Sequence, residues 1–187
     1  MMPVERLTPV RRVSAKRLMD VTGGLLLLLL LAPLMAVIAL AVALTSRRTA
    51  LVRRRRIGLA GRPFGILAFH AAPGTRTGRL LRRHFLDELP QLIHVVRGEM
   101  SLVGPRPLRP EDADPAVGGL RTRLGVRPGL TGLWQVSGRS EMPWEEKAVL
   151  DLHYVEQHWL GLDLAIMVRT LPAALAGRRA RVPVRHA

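Results

Sequence analysis

Gly24-Leu25-Leu26-Leu27-Leu28-Leu29-Leu30-Leu31-Ala32-Pro33-Leu34 sits inside a stretch, Val21 to Ser46, that carries no charged residue. As a straight helix, residues 21–46 would reach about 39 Å, more than a hydrocarbon core of about 30 Å requires. Pro33 stands near the middle, where it removes a backbone donor and crowds the preceding turn, so a kink or break is expected. Each half is then about a dozen residues, too short to cross alone. Arg6, Arg11, Arg12, Lys16 and Arg17 precede the stretch, and Arg47, Arg48 and Arg53 to Arg56 follow it. Spanning helices bias Lys and Arg toward the cytoplasmic end, and here both ends are basic. The reading preferred over a spanning helix is therefore a re-entrant one, which dips into one leaflet and returns. Ala41-Val42-Ala43 mimics a secretory cleavage site, but the apolar run exceeds the usual length of about 7–15 residues.

Outside this stretch the chain is one domain's worth of sequence. Its 187 residues hold 29 Lys and Arg against 14 Asp and Glu, a formal charge of +15. Such an excess calls for an anionic partner: nucleic acid, an anionic membrane surface or phosphorylated substrates. Basic residues beside a bilayer attract anionic lipids at about 1 kcal/mol each, so the membrane absorbs much of the charge. Nucleic acid is not expected as a partner, because it leaves the leucine run unexplained and no aromatic residues interleave the basic ones. With no cysteine, disulfides and thiolate metal sites are excluded.

The chemistry concentrates at Phe85-Leu86-Asp87-Glu88-Leu89-Pro90-Gln91-Leu92. Leu89, Leu92, Ile93 and Val96 recur at the helical period. Asp87 and Glu88 precede that stripe, where unpaired N–H groups and the helix dipole favour negative charge. On these residues alone Asp87 reads as an N-cap, with Pro90 in the first turn, as readily as a catalytic carboxylate. Upstream, Gly58, Gly61 and Pro63 mark a tight turn between two short strands, and Arg79 to Phe85 reads as a helix that brings Arg82 near the carboxylates. Downstream, prolines on both sides of Arg106 restrict its backbone, which suits a fixed arginine facing an oxyanion. Glu111, Asp112 and Asp114 read as a solvated loop. Arg127 to Arg139 reads as loop, short strand and loop, with Arg139 and backbone N–H groups able to meet a nucleotide. Two helices follow, one opened by Pro143 and one from about Leu162 to Leu175, and Trp144, Tyr154 and Trp159 suit either an interface belt or a core.

Taken together, Lys16-Arg17 with Asp20 and the apolar run, Leu86-Asp87-Glu88-Leu89-Pro90-Gln91, Met100-Ser101-Leu102-Val103-Gly104-Pro105-Arg106-Pro107, Arg127-Pro128-Gly129-Leu130-Thr131-Gly132 and Trp134-Gln135-Val136-Ser137-Gly138-Arg139 resemble, in this order, the monotopic polyprenyl-phosphate phosphoglycosyl transferases among the bacterial sugar transferases. The resemblance covers Lys16 to about Pro172. It implies transfer of a phosphosugar from a nucleotide diphosphate sugar to a polyprenyl (undecaprenyl) phosphate, with release of nucleoside monophosphate, at the start of surface glycan synthesis. It further implies Asp87 as nucleophile, Glu88 as a ligand of Mg²⁺, and Arg82, Arg106 and Arg139 as phosphate and nucleotide contacts. A carboxylate ionised at neutral pH needs no base to attack, and a cation with arginines offsets the charge of the diphosphate. Adjacent positions on a helix point about 100° apart, so one carboxylate can attack while its neighbour holds metal.

The chain departs from this family at several places. Ala68-Phe69-His70 stands where Lys-Phe-Arg is usual, Arg54-Arg55-Arg56 where a Gln-x-Arg pattern is usual, and Phe85 replaces a serine. These changes motivate a second reading, a catalytically impaired membrane-associated relative that binds polyprenyl phosphate or assembles glycan enzymes. The expected fold is α+β: a re-entrant membrane helix broken at Pro33 (16–46), then a small mixed catalytic domain with amphipathic interfacial helices (47–176), flanked by basic tails (1–15 and 177–187). The expected setting is the cytoplasmic face of the inner membrane, with anionic lipids as partners; a homodimer is one candidate assembly, and the sequence does not fix the oligomeric state.

Overall fold

The computed structural model describes residues 13–46, 49–112, 120–137 and 144–177. The two terminal tails lie almost wholly outside these ranges. Helix α1 (Val13–Ser46) carries the apolar run. One element continues through Pro33, where two half-helices were expected. The physical reason is that proline removes a single donor, and an apolar surrounding penalises opening any further backbone bond.

One face of α1 packs against the rest of the protein along its length. Lys16, Arg17, Asp20 and Gly24 meet the later elements polar to polar or backbone to side chain. Leu27, Leu28 and Leu31 join one apolar cluster, and Met35, Ile38 and Val42 join another. These positions recur every three to four residues, the spacing of one helix face. The opposite face exposes Leu18, Leu26, Leu29, Leu30, Val37, Leu40 and Leu44. Such a contiguous apolar surface marks an interaction with lipid or protein.

After α1 the chain forms the antiparallel hairpin β1 (Leu51–Ile57) and β2 (Pro63–Phe69), in the register Arg54 opposite Ile66 and Val52 opposite Ala68. Its turn places Ala60 and Gly61 at φ 55° and 74°. Helix α2 (Arg76–Arg83) is capped by Thr75, whose Oγ1 accepts the Gly78 N–H at 3.0 Å. A 3₁₀ segment, Leu86–Gln91, leads into α3 (Leu92–Arg97), which Gly98 closes at φ 88°. The outer edge of β2 is covered by α3: the Leu67 N–H donates to His94 Nε2 at 3.0 Å. That contact leaves the imidazole proton on Nδ1, directed at Glu99 Oε2, 2.6 Å away.

Strand β3 (Ser101–Val103) pairs in parallel with β4 (Gly129–Thr131), which follows the short helix α4 (Leu120–Arg123). Their backbones lie so close that a Cβ on Gly129 would stand 2.1 Å from Gly104 N, and one on Gly132 would stand 2.5 Å from Gly104 O. Glycine is required there by contact. Helix α5 (Leu133–Val136) occupies residues read as loop from sequence, and α6 (Trp144–Gln157) and α7 (Leu160–Ala176) complete the chain. Ile66, Leu92, Val95, Met100, Leu102, Val103, Tyr154 and Ile166 form the main core, so hairpin, α3, the parallel pair and the last two helices share one interior. The mixed helix and strand expectation holds, with one long apolar helix at the N-terminal side.

Candidate active site

Phe85, at φ 58°, turns the chain out of α2 and into the 3₁₀ segment. A bulky residue in the left-handed region is uncommon and clusters at functional sites. The turn places Asp87 and Glu88 in the first turn of that segment. Asp87 is therefore not the cap of the following helix, which starts five residues later. Asp87 is 6% exposed, and its Oδ1 has no hydrogen-bond partner among the described residues. A buried carboxylate oxygen left unpaired is costly, and in a native fold it asks for a ligand.

Asp87 and Glu88 form part of the wall of an open pocket that also takes in Arg54, Arg56, Gln91, Arg106, Trp134 and Gln135. Alternation along β1 sends the side chains of 52, 54 and 56 to one face and those of 53 and 55 to the other. The pocket face therefore carries Arg54 and Arg56, while β2 supplies only the apolar Ile66 and Ala68. Arg56 has its pKa lowered, first by burial and then by repulsion from Arg106, Arg109 and Arg54. Like charges gathered in this way form a site for an anion.

Arg106 is held by its own peptide. Its N–H donates to Asp151 Oδ2 at 3.2 Å, and its carbonyl accepts from Arg123 Nη2 at 3.2 Å. Arg123 and Asp151 are themselves a buried ion pair at 2.5 Å. Burial pushes Asp151 up to about 6, outweighing the attraction of Arg123, and burial likewise lowers Arg123. The pair thus grips both polar groups of one residue, leaving the Arg106 guanidinium to lie over the Trp134 ring, 5.2 Å from its centroid. Lys147 Nζ lies 5.4 Å from the same ring. Prolines 105 and 107 limit the backbone further.

A second polar cluster ties α1 to this loop. Lys16 Nζ donates to Val103 O at 3.1 Å, Tyr154 Oη at 3.1 Å and Asp163 Oδ2 at 2.6 Å, so its three protons have three acceptors. Tyr154 gives its single proton to Asp163 Oδ1 at 2.6 Å. Burial, followed by the charge of Asp163, raises the pKa of that phenol and keeps it neutral. Val103 immediately precedes the Gly104-Pro105-Arg106 turn.

Of the residues expected at the site, the structure brings Asp87, Glu88 and Arg106 into one wall. Arg82 is not among the lining residues; its Nη1 donates to the Ala71 carbonyl and braces the loop before α2. Arg139 lies outside the described residues. Arg54, Arg56, Gln91, Trp134 and Gln135 are pocket residues that sequence reasoning did not assign. The signal for the two arginines was present, since Arg54 and Arg56 are two apart in a strand, but it needed the register to show which face is the pocket. Glu88 puts one carboxylate on the pocket wall, an oxygen ligand of the kind Mg²⁺ takes when phosphates and water complete its shell.

The sequence model for the family described as bacterial sugar transferase matches residues 11–177. The chain is 39% identical to the UDP-glucose:undecaprenyl-phosphate glucose-1-phosphate transferase of Caulobacter vibrioides, over 89% of this chain and 73% of that protein. It is 33% identical to the exopolysaccharide production protein ExoY of Rhizobium meliloti, over 88% of this chain and 87% of that one. It is 37% identical to the undecaprenyl-phosphate glucose phosphotransferase of Komagataeibacter xylinus, over 88% of this chain but 36% of that longer protein.

Proposed function

The chain belongs to the bacterial sugar transferase family, and from that membership we propose that it is an enzyme transferring a sugar phosphate from a nucleotide diphosphate sugar to undecaprenyl phosphate, the opening step of exopolysaccharide synthesis. The observation that carries this reading is the buried Asp87 Oδ1, without a hydrogen-bond partner among the described residues, in a pocket walled by Arg54, Arg56 and Arg106. In the first step a carboxylate oxygen of Asp87 bonds to the phosphorus that bears the sugar, and the bond from that phosphorus to the nucleoside monophosphate breaks. In the second, a phosphate oxygen of the polyprenyl phosphate attacks the same phosphorus and Asp87 leaves. The arginines offset the charge that otherwise resists attack on a diphosphate, in a site partly shielded from water. Glu88, with the diphosphate oxygens, would hold Mg²⁺, which when bound supplies charge neutralisation at the transferred phosphoryl group.

The lipid acceptor accounts for α1. We place the enzyme on one leaflet, at the cytoplasmic face of the inner membrane, with α1 re-entrant. Support comes from the packing: Lys16 near one end of the helix and Val42 near the other both meet the same domain. A spanning helix would carry one of those ends to the far side of the bilayer. The pairing of an intact carboxylate pair with a basic wall argues against a catalytically impaired relative.

The test uses the purified chain in lipid nanodiscs with a panel of labelled sugar nucleotides and a short polyprenyl phosphate. Mg²⁺-dependent release of nucleoside monophosphate is expected, with covalent label on the wild type and none on Asp87→Asn. Label that persists in Asp87→Asn would remove Asp87 from the nucleophile's role.

A further inference from the structure

Arg54 is the pocket cation with no partner of its own. It makes no hydrogen bond or ion pair among the described residues, and its charge adds to burial, Arg106 and Arg109 in lowering the pKa of Arg56. On the opposite strand the pocket face is apolar at Ile66 and Ala68. Arg54 stands opposite Ile66, so Ala68 is its diagonal neighbour across the hairpin, about 7–8 Å away by the spacing of antiparallel strands. A long side chain on either position reaches the same volume.

We propose that Arg54 binds phosphoryl oxygens of a substrate in this pocket, supplying from β1 the positive charge that position 68 on β2 lacks. This rests on the transferase reading of the pocket and deepens it by naming a binding residue. The physical reason is twofold. Three guanidinium groups on one wall repel one another until an anion arrives, and a planar fork of donors suits phosphoryl oxygens better than a solvated surface role. Arg54 is also nearer than Arg56 to the end of the hairpin where Phe69 packs on Ile38 and Val42 of α1. The phosphate it meets can come from the lipid acceptor or from the sugar nucleotide.

Three proteins decide the matter: the wild type, Arg54→Gln, and Arg54→Gln combined with Ala68→Lys, each in nanodiscs and each checked for an unchanged melting temperature. Arg54→Gln is expected to raise KM about tenfold for one substrate, and adding Ala68→Lys is expected to recover most of it. A rise confined to the polyprenyl phosphate identifies the lipid phosphate, and one confined to the sugar nucleotide identifies the diphosphate. All three are also titrated with UDP and with a short polyprenyl phosphate, so affinity is measured independently of turnover. An inactive wild type would overturn the transferase reading while the titrations still report on Arg54. Unchanged KM and unchanged affinities in Arg54→Gln would overturn the proposal, as would a loss that Ala68→Lys fails to recover.

Discussion

At the scale of single residues, the role proposed for Asp87 carries a prediction about stability as well as turnover. Its buried Oδ1 has no partner among the described residues, and a buried polar oxygen left unsatisfied costs stability. Asp87→Asn should therefore melt at or slightly above the wild-type temperature, a gain of about 1 kcal/mol at most, while turnover falls by about a thousandfold or more. Thermal melting and release of nucleoside monophosphate, measured on the same preparation, test both signs; a variant that unfolds instead would assign Asp87 to the framework. Ala60 offers a contrasting case, because it is exposed and sits at φ 55° with no role in the pocket. Glycine relieves about 1–2 kcal/mol of left-handed strain and returns part of it as chain entropy. Ala60→Gly should raise stability by about 0.5–1 kcal/mol, read by urea unfolding, with kinetics unchanged. The carboxylate pair was legible in the sequence because it interrupts a basic chain at a helix start. Arg54 and Arg56 were hidden in a run of four arginines, where only strand register separates those facing the pocket from those facing away.

At the scale of elements, the parallel pair β3 and β4 explains why two distant glycine-bearing motifs occur together. Gly104, Gly129 and Gly132 let the strands touch backbone to backbone, and that contact sets where Arg106 and Trp134 emerge. Gly129→Ala should destabilise by about 1–3 kcal/mol and weaken substrate affinity as well, seen as parallel changes in melting temperature and KM. The motifs were visible beforehand, but a parallel pairing of three-residue strands was not, since nothing in so short a run distinguishes a strand from a loop. The Arg123–Asp151 pair was equally hidden, because Asp151 sits within a helix that reads as an ordinary surface helix. Arg123→Met leaves a buried carboxylate without its partner and should cost about 3–5 kcal/mol. Combining it with Asp151→Leu should restore most of that stability but leave the Arg106 peptide ungripped, so kcat/KM should remain low. The same double variant has a signature in pH. Asp151 rises from 3.8 to about 6 on folding, so between those values the folded chain binds more protons than the unfolded one. Stability then falls as pH rises through that window. Subtracting the double variant's pH profile from that of the wild type should isolate this fall, and a difference that rises with pH there would contradict the assignment.

At the scale of the whole molecule, the question is what joins the long apolar helix to the arginine-walled pocket. Three charged residues at the start of α1 do so, each held by different groups: Lys16 by Asp163 and Tyr154, Arg17 by the carbonyls of Val95 and Val96, and Asp20 by Ser101 and the Leu102 N–H. Sequence reading recognised these residues as a flank of positive charge and a motif, yet their bonds are long-range and could not be read from spacing. The far end of the helix is fastened differently, by Ile38 and Val42 against Phe69, Ala71 and Leu81. Fastening at both ends constrains topology, because one domain cannot sit on both faces of a bilayer. The chain contains no cysteine, so single introduced thiols can be read without background. Ser14→Cys and Thr49→Cys stand at the two ends of α1, and Leu30→Cys lies on its exposed apolar face, at a residue 68% exposed. In inverted inner-membrane vesicles an impermeant maleimide should label both flanking positions and leave Leu30→Cys unmodified, whereas intact spheroplasts should label none of the three. Labelling of the two flanks from opposite faces would establish a spanning helix. The packing of Lys16 and Val42 on one domain would then have to be broken in the membrane, which predicts that Lys16→Met would leave activity intact; in the re-entrant arrangement the same substitution should lower both melting temperature and turnover.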